Sequence, residues 1–494
     1  MRARWIGAVA FALLFGFALV LVRGKPVLAS DQGVYLSVAA RILDGDHLYA
    51  QTIENKDPLF FYTYAAALWI GGWRGPFLLD GLWFALAAMG FALFMRELRA
   101  PRSAVIASFF VYPLALSSGW YLAGESMLGA LAVAPFAPWL WLRGRYAASG
   151  VVLAVVLLLK LNLVGVAAAP IAAMAIVGDP SGRRMGALSR AVAGLVVSLA
   201  AVALVMGLRG ELRPYLELVN YNVYYSSALL PEEGFFARAR DHLDVVVTYF
   251  DTGRWQLPAV VLVLAAACVA AVYVARKADR SRIRLLAPSA ALTTIAALAA
   301  LALTAYWFHH VQALAYPAAL IAATLLSAVA IRWGPRAGTI AGAVCVLSVL
   351  WVSLHSADRQ GMSTAWTASG GSVSSDALEQ ARTQYFPEAT RVTYMAFGGN
   401  SENAHAVFIS KRFDLVCRWF HLYPYSPDDQ LDETTDCSRR EAPMLILVTL
   451  GFWDSRTGAS WRGFVSNARH LLHSNYERVV TRYPGFEVWK RKDA

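Results

Sequence analysis

The stretch Leu59-Phe60-Phe61-Tyr62-Thr63-Tyr64-Ala65-Ala66-Ala67-Leu68-Trp69-Ile70-Gly71-Gly72 decides the topology of this chain. It is apolar, yet at about 14 residues it falls short of the roughly 20 that a helix needs to cross hydrocarbon. Phe60, Phe61, Tyr62, Tyr64 and Trp69 suit the headgroup level rather than the bilayer centre. The expectation is a short amphipathic helix lying in the outer interface. Were it to cross, every basic connector downstream would change sides.

Outward from that stretch, apolar runs of spanning length fall at 5–22, 76–95, 103–120, 127–142, 147–160, 162–177, 191–207, 257–275, 285–304, 311–331 and 338–354. The fold class expected is therefore a polytopic α-helical membrane protein of about eleven spans. Arg2 and Arg4 put the N-terminus in the cytoplasm by the positive-inside rule. With the Leu59 stretch not crossing, the basic connectors Arg96–Arg102, Arg143–Arg145, Arg183–Arg190, Arg276–Arg284 and Arg332–Arg336 all become cytoplasmic. Val27-Leu28-Ala29 resembles a signal cleavage site. The run before it is longer than a signal core, so it reads as a retained first helix.

Composition agrees. Hydrophobic residues are 58% of the 494 and charged residues 16%, against about 25% charged in ordinary soluble domains. The apolarity stops near His355. A transmembrane domain of residues 1–355, with its first outer loop at 23–74, is followed by a linker at 356–390 that includes the Gly/Ser-rich Ser369–Ser375. Residues 391–494 then form a small extracytoplasmic α/β domain, with strands at Arg391–Gly398 and Pro443–Leu450, a helix at Trp461–His473 and a terminal hairpin at Glu477–Lys490. The net charge of +11 lies in the connectors, where it sets orientation; no basic face interleaved with aromatics points to nucleic acid. Cys268 and Cys345 sit in apolar runs as packing residues. Cys417 and Cys437 are placed to bridge if their domain faces an oxidising compartment. Neither pair has metal-site spacing with His.

This topology collects the unusual residues on the outer face. The first outer loop carries Asp31, Asp44, Asp46, Glu54, Lys56 and Asp57. The next outer turn carries Glu125, Lys160 ends a span beside Asn162, the loop Arg209–Gln256 is rich in Tyr and Asn, and Tyr306-Trp307-Phe308-His309-His310 closes another turn. Ionisable groups at membrane depth cost about 2.5–3.5 kcal/mol each and so mark function. Each also has a bland reading. Asp44-Gly45-Asp46 is a solvated turn, Lys160 can snorkel, and the histidines can be interfacial. Their convergence on one face favours a site.

Asp31-Gln32-Gly33-Val34-Tyr35, the helix end at Leu43-Asp44-Gly45, and Glu54-Asn55-Lys56-Asp57-Pro58-Leu59 resemble the first outer loop of GT-C glycosyltransferases. The branch most similar contains protein O-mannosyltransferases and bacterial lipid A aminoarabinose transferases. Glu125 resembles the acidic residue of that family's second outer loop. Leu159-Lys160 resembles its L-T-K element, with Leu in place of Thr, and Tyr306–Pro317 a later outer turn. The resemblance covers residues 5–335; Asp-Gln replaces the Asp-Glu of some relatives, which weakens a two-carboxylate metal site there. It implies a GT-C-like fold in the inner membrane. It further implies transfer of a hexosyl or pentosyl group from a polyprenyl-phosphate donor to an extracytoplasmic glycan, lipid or protein, with inversion. On this reading Asp31 is the catalytic base and Glu125 stabilises the oxocarbenium-like transition state. Lys56, Lys160, His309 and His310 bind the donor phosphate, with Glu54 and Asp57 beside them. No metal ligand is assigned, although the family is compatible with a divalent metal.

No P-loop or Gly-rich nucleotide fingerprint occurs, as suits a lipid-borne donor. In the C-terminal domain Trp419, His421, Tyr423 and Tyr425 cluster, either to bind an acceptor or to pack their own core. The competing reading is a lipid or solute transporter or flippase, in which the outer charges gate or contact cargo. Against it, no internal repeat appears and the ionisable groups sit at helix ends. A non-catalytic scaffold would need none of them.

Overall fold

The computed structural model describes residues 2–23, 31–117, 126–177, 184–229, 266, 269–274, 276–277, 282–302, 308–359, 373–397, 413–418, 428–449, 452, 459–479 and 486–494. Its chain forms two compact units. One comprises Met1–Lys25, Phe77–Ala203 and Leu229–Ser363; the other Pro26–Pro76, Leu204–Ala228 and Thr364–Ala494.

The first unit is helical because lipid offers no partner to a bare peptide group, so each N–H and C=O must be satisfied within its own segment. Its helices are α1 (Arg2–Arg23), then, beyond the two helices of the first outer loop described below, α4 (Gly75–Glu97), α5 (Arg102–Ser117), α6 (Ser126–Val133), α7 (Phe136–Leu142), α8 (Tyr146–Leu159), α9 (Val164–Val177), α10 (Arg184–Leu208), and, after α11 of the other unit, α12 (Leu286–Ala302) and α13 (Ala315–Arg359). The expected span at 127–142 is two helices, with Pro135 at the break, where a ring without an N–H interrupts the ladder. The expected spans 311–331 and 338–354 are the two limbs of α13. They part at Gly334, whose φ of 87° only glycine adopts without strain, followed by Pro335. Most of the expected span 257–275 lies outside the described residues.

Small residues let these helices approach. A Cβ on Gly150 would strike the carbonyl of Ala191, and one on Gly194 that of Ala147, so α8 and α10 meet backbone to backbone. Away from these contacts α10 is open: Val192, Val197, Leu204 and Leu208 are 55–81% exposed. Among the described residues, four stretches are long and apolar enough to cross a membrane: Gly75–Glu97, Arg184–Leu208, Arg282–Ala302 and Gln312–Leu354. Such surfaces need lipid as solvent. The chain is a multi-pass membrane protein.

The second unit joins α2 (Asp31–Leu43), α3 (Pro58–Gly71) and α11 (Leu212–Leu229) to the C-terminal residues. Helix α3 is the Leu59 stretch. Its 14 residues span about 21 Å at 1.5 Å each, against hydrocarbon about 30 Å thick. It groups with α2 rather than with the spanning helices. Helix α11 occupies the start of a segment expected as loop. The C-terminal sheet has five strands: β1 (Val392–Phe397), β2 (Phe413–Leu415), β3 (Leu445–Thr449), β4 (Tyr476–Val479) and β5 (Phe486–Arg491). Their order is β2-β1-β3-β5-β4, with β1 parallel to β2 and β3, and β5 antiparallel to β3 and β4. Leu445, Ile446, Leu447 and Val448 are wholly buried, which is why the central strand reads as an unbroken apolar run.

Two parts of this domain were not anticipated. Residues 373–385 of the expected linker form α14 (Val373–Tyr385), which buries Ala377, Leu378 and Ala381 at helical spacing. Helix α15 (Asp428–Glu441) hides in a polar sequence, with Asp428 and Asp429 in its first turn and Arg439 and Arg440 in its last, each favoured by the helix dipole. Helix α16 (Ala459–Asn475) covers the sheet with Trp461, Phe464 and Leu472. Cys417 and Cys437 are joined in a disulfide.

Candidate functional site

Asn55-Lys56-Asp57-Pro58 is where local chemistry sets the site. Pro58 occupies the first helical position of α3, where a missing N–H costs nothing, and Asp57 is its N-cap residue in extended backbone. The Asp57 carboxylate does not cap the helix. It accepts instead from the hydroxyl of Tyr215, on α11, at 3.0 Å. Lys56 is drawn inward: its side chain is 11% exposed, and its Nζ donates to Asn55 Oδ1 at 2.8 Å. The same Nζ stands 4.0 Å from Glu54 Oε1 and 5.3 Å from the ring centroid of Tyr35 on α2. The Tyr35 ring in turn meets Phe60 edge-on at 4.9 Å, which locks α2 against α3.

Tyr49 closes this loop. It has φ 66°, an unfavourable backbone region for a bulky side chain. Its ring is fully buried and lies 5.1 Å from that of Tyr215. Its hydroxyl donates to the carbonyl of Lys56 at 2.8 Å. Beside it is Glu211, whose side chain has no exposed surface. That carboxylate accepts from the Leu48 N–H at 3.1 Å, the Tyr62 hydroxyl at 2.6 Å and Arg209 Nε at 2.8 Å. Burial, and after it the bond to Glu211, raises the Tyr62 phenol above its ordinary range. Burial and then the charge of Asp57 do the same to Tyr49 and Tyr215. All three remain O–H donors.

The C-terminal residues reach the same loop. The carbonyl of Arg418 accepts from the Ile53 N–H at 3.3 Å, and that of Cys417 accepts from Arg41 at 3.4 Å. Arg391 lies 3.9 Å from Asp44 and 2.6 Å from Asp414. Asp44 and Gly45 form the turn expected of them, with Gly45 at φ 107°.

Glu54, Lys56 and Asp57 are thus brought together, and Asp31 opens the helix that carries Tyr35. Lys160, His309 and His310 belong to the first unit. Lys160 is the C-cap of α8, in extended backbone before the short 3-10 turn Leu161–Leu163. His309 and His310 lie in the 3-10 segment Phe308–Leu314, where His310 is 7% exposed. Glu125, Trp419, His421, Tyr423 and Tyr425 lie outside the described residues. Among the described residues no three His, Cys, Asp or Glu side chains gather as a metal site.

Two groups of residues were missed. Glu211, Tyr215 and Asn222 were hidden in a presumed loop, although their spacing of four and seven is helical. Gln312 and Tyr316, flanking the end of that 3-10 segment, are buried with side-chain polar atoms that find no partner among the described residues. An amide on an apolar stretch was the available signal.

No protein-family model matches the chain, and no curated protein matches it. Solved structures do. ArnT from Cupriavidus metallidurans bound to undecaprenyl phosphate superposes with TM-score 0.58 at 14% identity, over 99% of this chain and 98% of that one. The arabinofuranosyltransferase AftD from Mycobacteria gives TM-score 0.49 at 15% identity, over 99% of this chain and 40% of its own.

Proposed function

We propose that this chain, which has the GT-C fold, is a glycosyltransferase that moves a sugar from a polyprenyl-phosphate donor to a glycan, lipid or protein outside the cytoplasm. The observation that carries the reading is the likeness to ArnT along nearly the whole of both chains, in a structure that holds undecaprenyl phosphate. The inward-drawn Lys56, in a loop of carboxylates, supports it from the side of chemistry, since a leaving phosphate needs a cation nearby. About eleven crossings would leave the N-terminus cytoplasmic and residues 391–494 extracytoplasmic, where the Cys417–Cys437 disulfide suits an oxidising compartment.

In this reaction the acceptor oxygen attacks the anomeric carbon and its proton passes to the Asp31 carboxylate. The bond from that carbon to the phosphate oxygen breaks with inversion, and the polyprenyl phosphate leaves. Glu125 is assigned to the positive charge that develops on the sugar. Lys56 and Lys160 are assigned to the phosphate charge, and His309 and His310 to hydrogen bonds with its oxygens. Glu54 and Asp57 hold the Lys56 loop.

The test is donor turnover by purified protein given a panel of radiolabelled polyprenyl-phosphate sugars and a membrane extract. Transfer or slow hydrolysis of one donor, lost in Asp31→Asn, is the expected result. No consumption of any donor, with a labelled lipid or solute crossing reconstituted vesicles, would replace the reading with a transporter.

A further inference from the structure

We infer that Glu211, the residue that opens α11, and Tyr215 and Asn222 within it are positioning residues that set the place of Lys56 and so its hold on a lipid phosphate. The inference rests on the glycosyltransferase reading for the identity of that phosphate. The clamp itself rests on geometry alone.

Residues 211, 215 and 222 are spaced by four and seven, so they lie on one side of a helix, with the buried Leu218 between them. Each grips a different point of the loop before α3. Glu211 binds the N–H of Leu48 ahead of the loop and the hydroxyl of Tyr62 behind it, tying both ends to one buried carboxylate. Tyr215 binds the Asp57 carboxylate, and Asn222 Nδ2 donates to the carbonyl of Asn55 at 3.2 Å. Lys56 lies between those two held residues, and its own carbonyl is held by Tyr49, whose ring rests on Tyr215. A lysine on a four-carbon stem is otherwise a loosely placed charge. Here α11 holds both neighbours of the lysine, Asn55 by its carbonyl and Asp57 by its carboxylate, while Tyr49 holds the carbonyl of Lys56 itself. Arg209, paired to Glu211 at 2.8 Å, balances the carboxylate that does the tying.

The test has two arms. Hydrogen exchange measures whether the loop is clamped: Glu211→Gln and Tyr215→Phe should speed amide exchange across residues 48–57 and leave the C-terminal sheet unchanged. Exchange over that loop equal to wild type in both variants overturns the clamp. The second arm measures affinity for undecaprenyl phosphate in detergent. Tyr215→Phe keeps the ring and its packing, so it preserves the fold and reads the hydrogen bond alone even if Glu211→Gln fails to fold. It should weaken binding about tenfold, the size of one charge-assisted hydrogen bond, but cause no further loss once Lys56→Met is present. An equal loss in both backgrounds, or a loss that follows melting temperature alone, overturns the positioning role. Wild type that binds no undecaprenyl phosphate, with exchange still speeded in the variants, removes the donor reading and leaves the clamp. Binding intact with exchange unchanged removes the clamp and leaves the donor reading.

Discussion

The hydroxyl of Tyr49 donates to the backbone carbonyl of Lys56 across a bond of 2.8 Å, from a residue whose own φ is 66°. A strained, buried aromatic thus spans the loop and holds the residue proposed to meet the donor. Tyr49→Phe keeps the ring and orphans that carbonyl, which costs about 1–3 kcal/mol for a buried group. Thermal melting should fall accordingly and donor turnover should drop with it. A variant as stable and as active as wild type would show the bond to be incidental.

Lys56→Met tests the charge itself. Losing a preorganised cation at a leaving phosphate costs about 3 kcal/mol, or roughly a hundredfold in rate. Steady-state kinetics with the lipid-linked sugar should show this loss, with Lys56→Arg recovering only part because its planar fork does not match the ammonium's place. Equal rates for Lys56→Met and wild type would remove Lys56 from the phosphate.

Gln312 buries an amide whose Oε1 and Nε2 find no partner among the described residues. If that amide is kept for a ligand, Gln312→Leu should raise stability by about 1–2 kcal/mol while lowering donor turnover. Melting curves and turnover on one preparation decide it. Lower stability together with unchanged turnover would mean the amide serves the fold.

The Cys417–Cys437 bridge encloses a separation of 20 residues, and its loss should cost about 3 kcal/mol in the C-terminal domain. Because Cys417 and Arg418 offer carbonyls to Arg41 and Ile53, reduction should also loosen the Lys56 loop. Proteolysis within residues 41–57 after treatment with dithiothreitol is the readout; protection equal to the oxidised protein would uncouple the two.

Alkaline pH probes the tyrosines. Tyr62 and Tyr215 are raised chiefly by burial, then by Glu211 and Asp57 respectively, while an unfolded phenol ionises near ~10. A folded value above the unfolded one contributes stability that is fully present below about pH 10 and is lost as pH rises from there through the folded value. Tyrosinate absorbance should therefore show a late-titrating fraction among the 21 tyrosines. Glu211→Gln should bring part of it to lower pH. A single transition near the unfolded value would contradict the buried network.

What the sequence determined by itself was everything that local periodicity carries. Apolar runs became helices because lipid leaves the backbone no other partner. The Leu59 stretch became a 14-residue helix opened by Asp57 and Pro58. The largely apolar run at 445–449 became the central strand. The grouping of Glu54, Lys56 and Asp57 was legible too, because they are neighbours in the chain. What tertiary structure alone decided was what holds them. Glu211 reaches Leu48 and Tyr62 across 163 and 149 residues, and the Arg418 carbonyl reaches back to Ile53. A buried carboxylate is stable only where donors converge on it, and no periodicity records which donors those are. That information lies in the packing of α11 against the loop, where distant polar groups satisfy one another because water is excluded from both.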